Sequence, residues 1–302
     1  MKTLFINLII FCLIFNCEKN FAQQTSLFNN YSLDPLQLNI AYADPADFSV
    51  NAHVRTQWIG MKNTPKTIQL NSQYTLNEKN KIALRINSQS QGLLNTSGVM
   101  VGYGYKFKVS RNMNIHLGLG VGWTHASINT GKAIVKDYDD LTLNNGTTQK
   151  SNGFDAEFGA MLIDTKFKAG ISILHLYNSN PDFSFVGSYK RKPQLNTQFS
   201  YIFNKDEKIE IEPWLLNRYT MKGDNVIEGL VNINYIKTFT IGVGYRSYYG
   251  VIAVFSVKAD DIKFAYSFDF VTSKNSTSMG SSHQIMLGYS FSRDKKKNTG
   301  FL

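Results

Sequence analysis

Apolar residues near the C-terminal end of the chain alternate with polar or small residues at a period of two. Ile262 to Phe270 reads I-K-F-A-Y-S-F-D-F, and Gln284 to Phe291 reads Q-I-M-L-G-Y-S-F. Because side chains alternate between the two faces of a β-strand, each segment has one apolar, aromatic-rich face and one polar face. The pattern recurs with no helical pattern to cover the apolar face. We therefore expect that face to meet lipid, as in an outer-membrane β-barrel.

The same alternation predicts about fourteen strands, most near the length that lets a tilted strand cross a bilayer. The predicted fold class is all-β, a transmembrane antiparallel β-barrel of about 14 strands, in which an even number closes the sheet without a free edge. Two long connections are expected, at 129–152 and 177–192. The predicted strands are 48–58, 66–76, 80–90, 98–108, 113–126, 153–164, 166–176, 193–204, 207–217, 225–236, 238–248, 250–258, 261–271 and 282–292.

Glycine repeatedly occupies the inward position of these strands, as at Gly102, Gly118 and Gly242. Two interpretations stay open from the sequence. The missing side chains leave room for something inside the barrel, or they permit sharp curvature of the strands.

The N-terminus has the pattern of an export signal. Lys2 precedes a short apolar run, 4–15, and Ala22 stands where cleavage is expected, so residues 1–22 are predicted to be a signal peptide. Cys12 and Cys17 both lie within it, which leaves the mature chain without a disulfide or a thiol site. Lipidation of Cys17 is the rival interpretation, but the two residues before it are bulky or polar where a lipoprotein signal requires small ones.

Residues 23–47 do not alternate and contain turn signals such as Asp34-Pro35 and Asp44-Pro45. They are nevertheless too apolar to float free, so we expect them to enter the barrel lumen as a plug or to cap it. The predicted organisation is then a barrel at 48–292 followed by a polar tail at 293–302, with no second domain. The apolar residues of the plug are Leu27, Phe28, Tyr31, Leu33, Leu36, Leu38, Ile40 and Tyr42.

The formal net charge of +10 raises the question of an acidic partner. The basic residues are scattered rather than clustered, and many fall on the polar strand face or in turns. We interpret them as solvated charges of the lumen and rim, and not as a nucleic-acid site. Contact with anionic lipid headgroups, cell wall or an acidic protein is the alternative. These residues are Arg55, Arg85, Lys106, Lys108, Lys168, Arg246 and Lys263.

Residues that could support catalysis do not form a recognisable site. The five histidines, His53, His116, His125, His175 and His283, lack a short metal-binding spacing. His116 is predicted to fill the lumen. A serine paired with His175 or His283 would be needed for a lipid hydrolase, which is the least favoured hypothesis. Two pairs of acidic residues, Asp155 with Glu157 and Glu210 with Glu212, are interpreted as lumen lining rather than as a cation or glycosidase site. No catalytic, cofactor-binding or metal-binding residue is predicted.

Several motifs together resemble the PorP/SprF family of the type IX secretion system. Asn39 to Asp44 reads N-I-A-Y-A-D against the family's N-P-A-Y-A-G, and Arg55 to Trp58 matches R-x-Q-W. Pro65 to Leu70 matches P-x-T-x-x-L, Tyr266 to Phe270 matches Y-S-x-D-F, and Gly280 to Phe291 follows G-S-H-E-I-x-L-x-Y-x-F. The chain departs at Ile40, at Asp44, at an extra Ser282 and at Gln284, which affects local turn geometry.

The resemblance covers nearly all of the mature chain and implies a non-enzymatic outer-membrane barrel. Proteins of this family work with the type IX translocon or periplasmic ring components, and some assist gliding. Others help to export a large secreted adhesin or hold it at the surface. No catalytic residue carries over. The alternative that the sequence leaves open is a passive porin-like channel for small solutes.

Overall fold

A computed structural model describes residues 27–132, 148–179, 183, 191–221, 223, 225–272 and 280–293. The predicted signal peptide, 1–22, lies outside these residues, as does the predicted polar tail, 293–302, apart from Arg293. Cleavage near Ala22 and the state of Cys17 therefore stay predictions.

Fourteen antiparallel strands form one closed barrel, which confirms the predicted fold class. Each strand pairs with its neighbours in sequence, and β1 pairs with β14 to close the sheet. The strands are β1 Phe48–Thr56, β2 Lys66–Thr75, β3 Asn80–Gln91, β4 Leu94–Lys108, β5 Asn114–Asn129, β6 Thr148–Ile163, β7 Phe167–Asn178, β8 Gln194–Tyr201, β9 Ile209–Thr220, β10 Asn225–Tyr235, β11 Phe239–Arg246, β12 Gly250–Ala259, β13 Ile262–Val271 and β14 Ser282–Phe291.

The strands depart most from the prediction at β4, β5 and β6. β4 begins at Leu94 instead of 98, β5 continues to Asn129, and β6 begins at Thr148, within the connection predicted at 129–152. The added segments are mostly polar, and Asn129 pairs with Thr148 across them. Apolar and polar residues alternate only along the part of a strand that faces lipid. Backbone hydrogen bonding continues wherever two strands stay adjacent, so a strand can be longer than its alternating part. β8 is shorter than predicted, ending at Tyr201 instead of 204.

The connections define two ends of the barrel. The turn end holds the connections 76–79, 109–113, 164–166, 202–208, 236–238 and 260–261, together with the start of β1 and the finish of β14. The loop end holds 57–65, 92–93 and 247–249, and the strands β5, β7, β9 and β13 also end there, at Asn129, Asn178, Thr220 and Val271. Outer-membrane barrels carry short turns on the periplasmic side and longer loops outside the cell.

The outer surface of the barrel is apolar, as the alternation predicted. On β13 the outward residues are aromatic or aliphatic, whereas Ala265, Ser267 and Asp269 are buried inside. The same holds on β14, where Gln284 and Met286 face inward. No helix among the described residues is long and apolar enough to cross a membrane. Representative outward residues are Val101, Leu119, Val121, Trp123, Ile241, Val243, Tyr245, Phe264 and Leu287.

The inside of the barrel is occupied by the segment 27–47, which is here called the plug. Its two 3₁₀ helices, Asn30–Ser32 and Pro35–Gln37, are buried. Apolar residues of β9, β10 and β12 face inward to receive it, which a water-filled lumen would not favour. This apolar cluster contains Tyr31 and Leu38 of the plug with Trp214, Leu216, Leu230, Ile252 and Val254 of the wall.

Candidate functional site

The plug runs through the lumen from the loop end to the turn end. Near the loop end, the backbone N–H of Asn29 donates to Oε1 of Gln284 at 2.8 Å. Near the turn end, Nζ of Lys81 donates to the carbonyl oxygen of Asp44. The chain then enters β1 at Phe48. Residues 27 and 28 therefore lie in the half of the lumen that faces the long loops.

A buried ion cluster at the loop end holds the first polar residue of the plug. Nε of Arg246 lies 2.5 Å from Oε2 of Glu228. Asp269 accepts from Arg55 and from the side-chain amide of Asn29. Arg246 also donates to Oδ1 of Asn29 at 2.8 Å. Asn29 thus completes a network of two arginines and two carboxylates, all buried.

Aromatic packing fixes the plug next to this cluster. The rings of Tyr31 and Trp214 meet edge to face, with centroids 6.0 Å apart. The guanidinium of Arg218 lies 5.6 Å from the Tyr31 ring centroid and donates to the carbonyl oxygen of Phe28 at 3.3 Å. Both arrangements are favourable for aromatic rings.

A second polar network lies deeper in the lumen. Oδ2 of Asp34 lies 2.8 Å from Nε2 of His53 and accepts from the side-chain amide of Asn71 at 2.6 Å. His53 is fully buried, and its Nδ1 lies 3.2 Å from Nε2 of Gln284. Asp34 was predicted as a turn signal only. In the structure it joins the plug to β1, β2 and, through His53, to β14.

Glycines of β4 to β7 make room for residues 39–41 of the plug. A Cβ built on Gly118 would lie 2.7 Å from the backbone of Ala41, and one on Gly102 would lie 2.5 Å from Cδ1 of Ile40. Gly159 and Gly170 face the side chain of Asn39 in the same way. At these four positions the structure decides between the two interpretations in favour of internal space.

The glycines of β11 have a different surrounding. A Cβ on Gly242 would meet the side chain of Asn232, and one on Gly244 would meet the backbone of Gly229. Both neighbours belong to β10, so the plug does not explain these two positions.

Wall side chains also satisfy carbonyl groups of the plug, which lacks regular pairing of its own. Ser172 and Asn196 donate to the carbonyl oxygen of Leu38, at 2.5 and 3.2 Å. Asn39 donates in turn to the carbonyl oxygens of Ala160 and Ile171, both at 3.1 Å. Buried backbone polar groups without partners are costly, so these bonds let an irregular segment occupy the lumen.

The basic residues predicted as solvated lumen charges are in part buried ion pairs instead. Arg55, Arg85 and Arg246 are at most 9 % exposed. Arg85 lies 2.8 Å from Glu157, and Lys168 lies 3.0 Å from Glu212. The sequence carried no signal for these partners because they lie on strands far apart in the chain. Three basic residues predicted as solvated charges remain. Lys263 donates to the carbonyl oxygen of Leu33, whereas Lys106 is half-buried and Lys108 is exposed.

The two acidic pairs lie on different strands, β6 and β9, and each of the four carboxylates has its own partner. Asp155 bonds His175 at 2.6 Å, whereas Glu157 bonds Arg85. Oε1 of Glu210 accepts a hydrogen bond from the backbone N–H of Asp206 at 2.8 Å. Oε1 of Glu212 accepts hydrogen bonds from Nζ of Lys168 and Oγ of Ser200. Within the described part of the chain, no group of three or more His, Cys, Asp or Glu residues could hold a metal ion.

The histidines considered for catalysis occupy unrelated positions. His283 faces outward, with Nδ1 2.6 Å from the Tyr266 hydroxyl and Nε2 3.4 Å from Oγ of Ser281. Both ring nitrogens of His283 thus contact hydroxyl groups, and not a carboxylate of the kind that orients the histidine of a serine hydrolase. His116 is buried at the turn end, as predicted for a lumen-filling residue.

Together, the closed fourteen-stranded sheet, its apolar exterior and its filled lumen define an outer-membrane β-barrel that carries its own N-terminal segment inside. The family profile described as type IX secretion system membrane protein PorP/SprF matches residues 20–289. The chain therefore belongs to the PorP/SprF family, and the resemblance noted from its motifs is confirmed. A comparison with curated proteins finds no match.

Solved structures with a similar fold include proteins named as a channel and a transporter. The CymD monoaromatic hydrocarbon channel is similar with a TM-score of 0.55 at 11 % identity, over 87 % of this chain and 93 % of CymD. The toluene transporter TbuX of Ralstonia pickettii is similar with a TM-score of 0.52 at 10 % identity, over 85 % of this chain and 93 % of TbuX. Identities this low establish a common fold and nothing about substrate.

Proposed function

We propose that this barrel is a non-enzymatic accessory of type IX secretion that helps to export a partner protein or to anchor it at the cell surface. The partner is a large adhesin or a gliding component, and the barrel works beside translocon or periplasmic ring components. Membership of the PorP/SprF family supports this role. Export through a signal peptide cleaved near Ala22 is part of the proposal.

The filled lumen is the structural observation that carries the proposal. A passive channel needs a continuous aqueous path, whereas the plug is held by hydrogen bonds to a buried ion cluster, by aromatic packing and by further hydrogen bonds along its length. Such a barrel is suited to work through its two rims and its surface rather than through diffusion of solutes. The proposed organisation is an N-terminal segment 23–47 that includes the plug, a barrel 48–292 and a polar tail 293–302.

A porin-like channel is the second candidate, because the neighbours in fold are named as a monoaromatic hydrocarbon channel and a toluene transporter. This candidate requires that the plug move or leave the lumen. The intact protein would then conduct ions in a planar bilayer.

Affinity purification distinguishes the two candidates. A tagged copy of the barrel is extracted from outer membranes in mild detergent and its partners are identified by mass spectrometry. We expect translocon subunits, ring components or one large adhesin to co-purify, and not with an unrelated tagged barrel. Recovery of none of them, together with conductance of the intact protein, would favour the channel.

A further inference from the structure

We propose that the loop-end half of the lumen contains a binding site for a small zwitterion of amino-acid size. The inference is independent of the role in secretion. It rests on a cavity of about 90 Å³ between the plug and the wall strands β2 to β7. Phe28 and Gln37 of the plug line it, together with residues of the loop-end halves of the strands, so a ligand would enter from the cell surface.

The backbone around this cavity is locally distorted. The register of β6 and β7 shifts between Ala156 and Phe158, and His175 on β7 has a φ of 54°. A left-handed conformation is unfavourable for a residue with a Cβ, and bulges often serve to redirect a side chain. Here the bulge brings Nδ1 of His175 to 2.6 Å from Oδ2 of Asp155, and both residues line the cavity.

Five residues that line the cavity carry a buried polar atom without a hydrogen-bond partner. The acceptors are Oδ1 of Asp155, Oε1 of Glu157 and Oε1 of Gln37. The donors are Nε of Arg85 and Nε of Arg191. Four of these side chains form hydrogen bonds through their other atoms. Asp155 bonds His175, Glu157 bonds Arg85, and Nε2 of Gln37 lies 3.3 Å from Nε2 of His53.

The charges of the lining residues indicate the class of ligand. Two carboxylates, Asp155 and Glu157, would suit an ammonium group, and two guanidinium groups, Arg85 and Arg191, would suit a carboxylate. Leaving such groups unsatisfied in a buried site is costly. A dry apolar cavity of about 150 Å³ accepts benzene, so the present space suits a molecule about the size of glycine or alanine.

Ligand-observed NMR on the full-length barrel in lipid nanodiscs tests the site with glycine as the probe. We expect saturable binding of glycine. Glycinamide lacks the carboxylate and N-acetylglycine lacks the ammonium, so each should bind at least about tenfold more weakly. Acetate should also bind weakly. Failure of glycine to bind, or equal binding of all four probes, would overturn the proposal and leave a cavity filled by water.

Matched variants locate the binding. Glu157→Gln removes one acceptor charge from the cavity and should weaken glycine binding at least about tenfold. Glu210→Gln removes a buried carboxylate charge that does not line the cavity and should leave binding unchanged. If Glu157→Gln does not fold, Gln37→Met removes a plug acceptor without changing charge and should also weaken binding. Unaltered affinity in both cavity variants would place glycine elsewhere.

Discussion

Single residues decide whether the plug fits the lumen. Asn29 and Asp34 lie in a segment whose polar residues read as breakers, yet each completes a buried network on the wall. Gly102 and Gly118 have the opposite role, because they lack a side chain and so leave space for Ile40 and Ala41. Both contributions are local, and each can be removed by one substitution.

Arg246→Gln should destabilise the barrel strongly. The change leaves Glu228 without its 2.5 Å partner and weakens the hold on Asn29. Removing one member of a buried pair costs about 3–5 kcal/mol, because the remaining charge stays desolvated. Urea unfolding in lipid vesicles would measure this loss in the free energy of unfolding. Lys237→Gln breaks an exposed pair with Asp206 and serves as the control, with no measurable change expected. Equal stability of the two variants would contradict a role for the ion cluster.

Gly118→Val should displace the plug at residues 40 and 41. The new side chain would collide with backbone that cannot rotate away, and overpacking of this kind costs about 1–3 kcal/mol. Gly229→Val is the control, because nothing lies within 4 Å of a Cβ at that position. Urea unfolding would show a lower midpoint for Gly118→Val alone. The same loss in both variants would mean that valine disturbs the strands themselves, and not the plug.

At the scale of elements, the alternation of residues predicted all fourteen strands but not the path of the plug. In a strand that faces lipid on one side, apolar and polar residues alternate, so the sequence alone shows the strand. The plug has no such period, because its contacts come from strands spread over the whole chain, from His53 to Gln284. One signal was present. Trp214, Leu215 and Leu216 are consecutive apolar residues that break the alternation of β9, as expected of a strand with apolar neighbours on both faces.

The ends of strands were predicted less well than their centres. The loop-end parts of β4, β5 and β6 lie beyond the apolar exterior, so polar residues on both faces carry no cost there. The ion pairs of the lumen were not predictable for another reason. Arg85 on β3 and Glu157 on β6 are 72 positions apart, and only the register of the two intervening strands, β4 and β5, brings them together.

Removal of residues 27–45 should open the lumen. The deletion takes away the groups that fill the space between Arg246 at the loop end and Lys81 at the turn end, while β1 keeps its start at Phe48. Much of the remaining wall is lined by charged and polar residues that water can solvate, and only the apolar patch of β9, β10 and β12 would face water unfavourably. We expect single-channel conductance in planar bilayers to rise well above that of the intact protein.

The control for the deletion is Phe28→Ala, which shortens one plug side chain and leaves the backbone in place. Its conductance should stay close to that of the intact barrel. Unchanged conductance after the deletion would show that other residues close the lumen, and the plug would lose its proposed role.

At the scale of the whole molecule, the barrel reverses the usual arrangement of a soluble protein. Its large apolar side chains cover the outside, and its buried charges lie within. This arrangement is stable only if acyl chains surround the sheet, because water would otherwise meet an apolar surface on every strand. The charges inside can then be paired against each other and against the plug. The outer surface therefore depends on contact with lipid, and the interior depends on paired charges. A substitution can change one of these without changing the other.

Val243→Arg tests the exterior alone. Val243 lies near the middle of β11 and is 58 % exposed, with its side chain directed away from the plug. An arginine at the bilayer midplane should destabilise the barrel by about 2–4 kcal/mol, whereas one near the interface costs about 0–1 kcal/mol. Tyr248→Arg is the matched control, since Tyr248 is 55 % exposed but lies in the connection 247–249 beyond the strand. Urea titration in vesicles should separate the two variants. If both lose the same stability, depth in lipid does not govern this surface, and the exterior must be covered by protein instead.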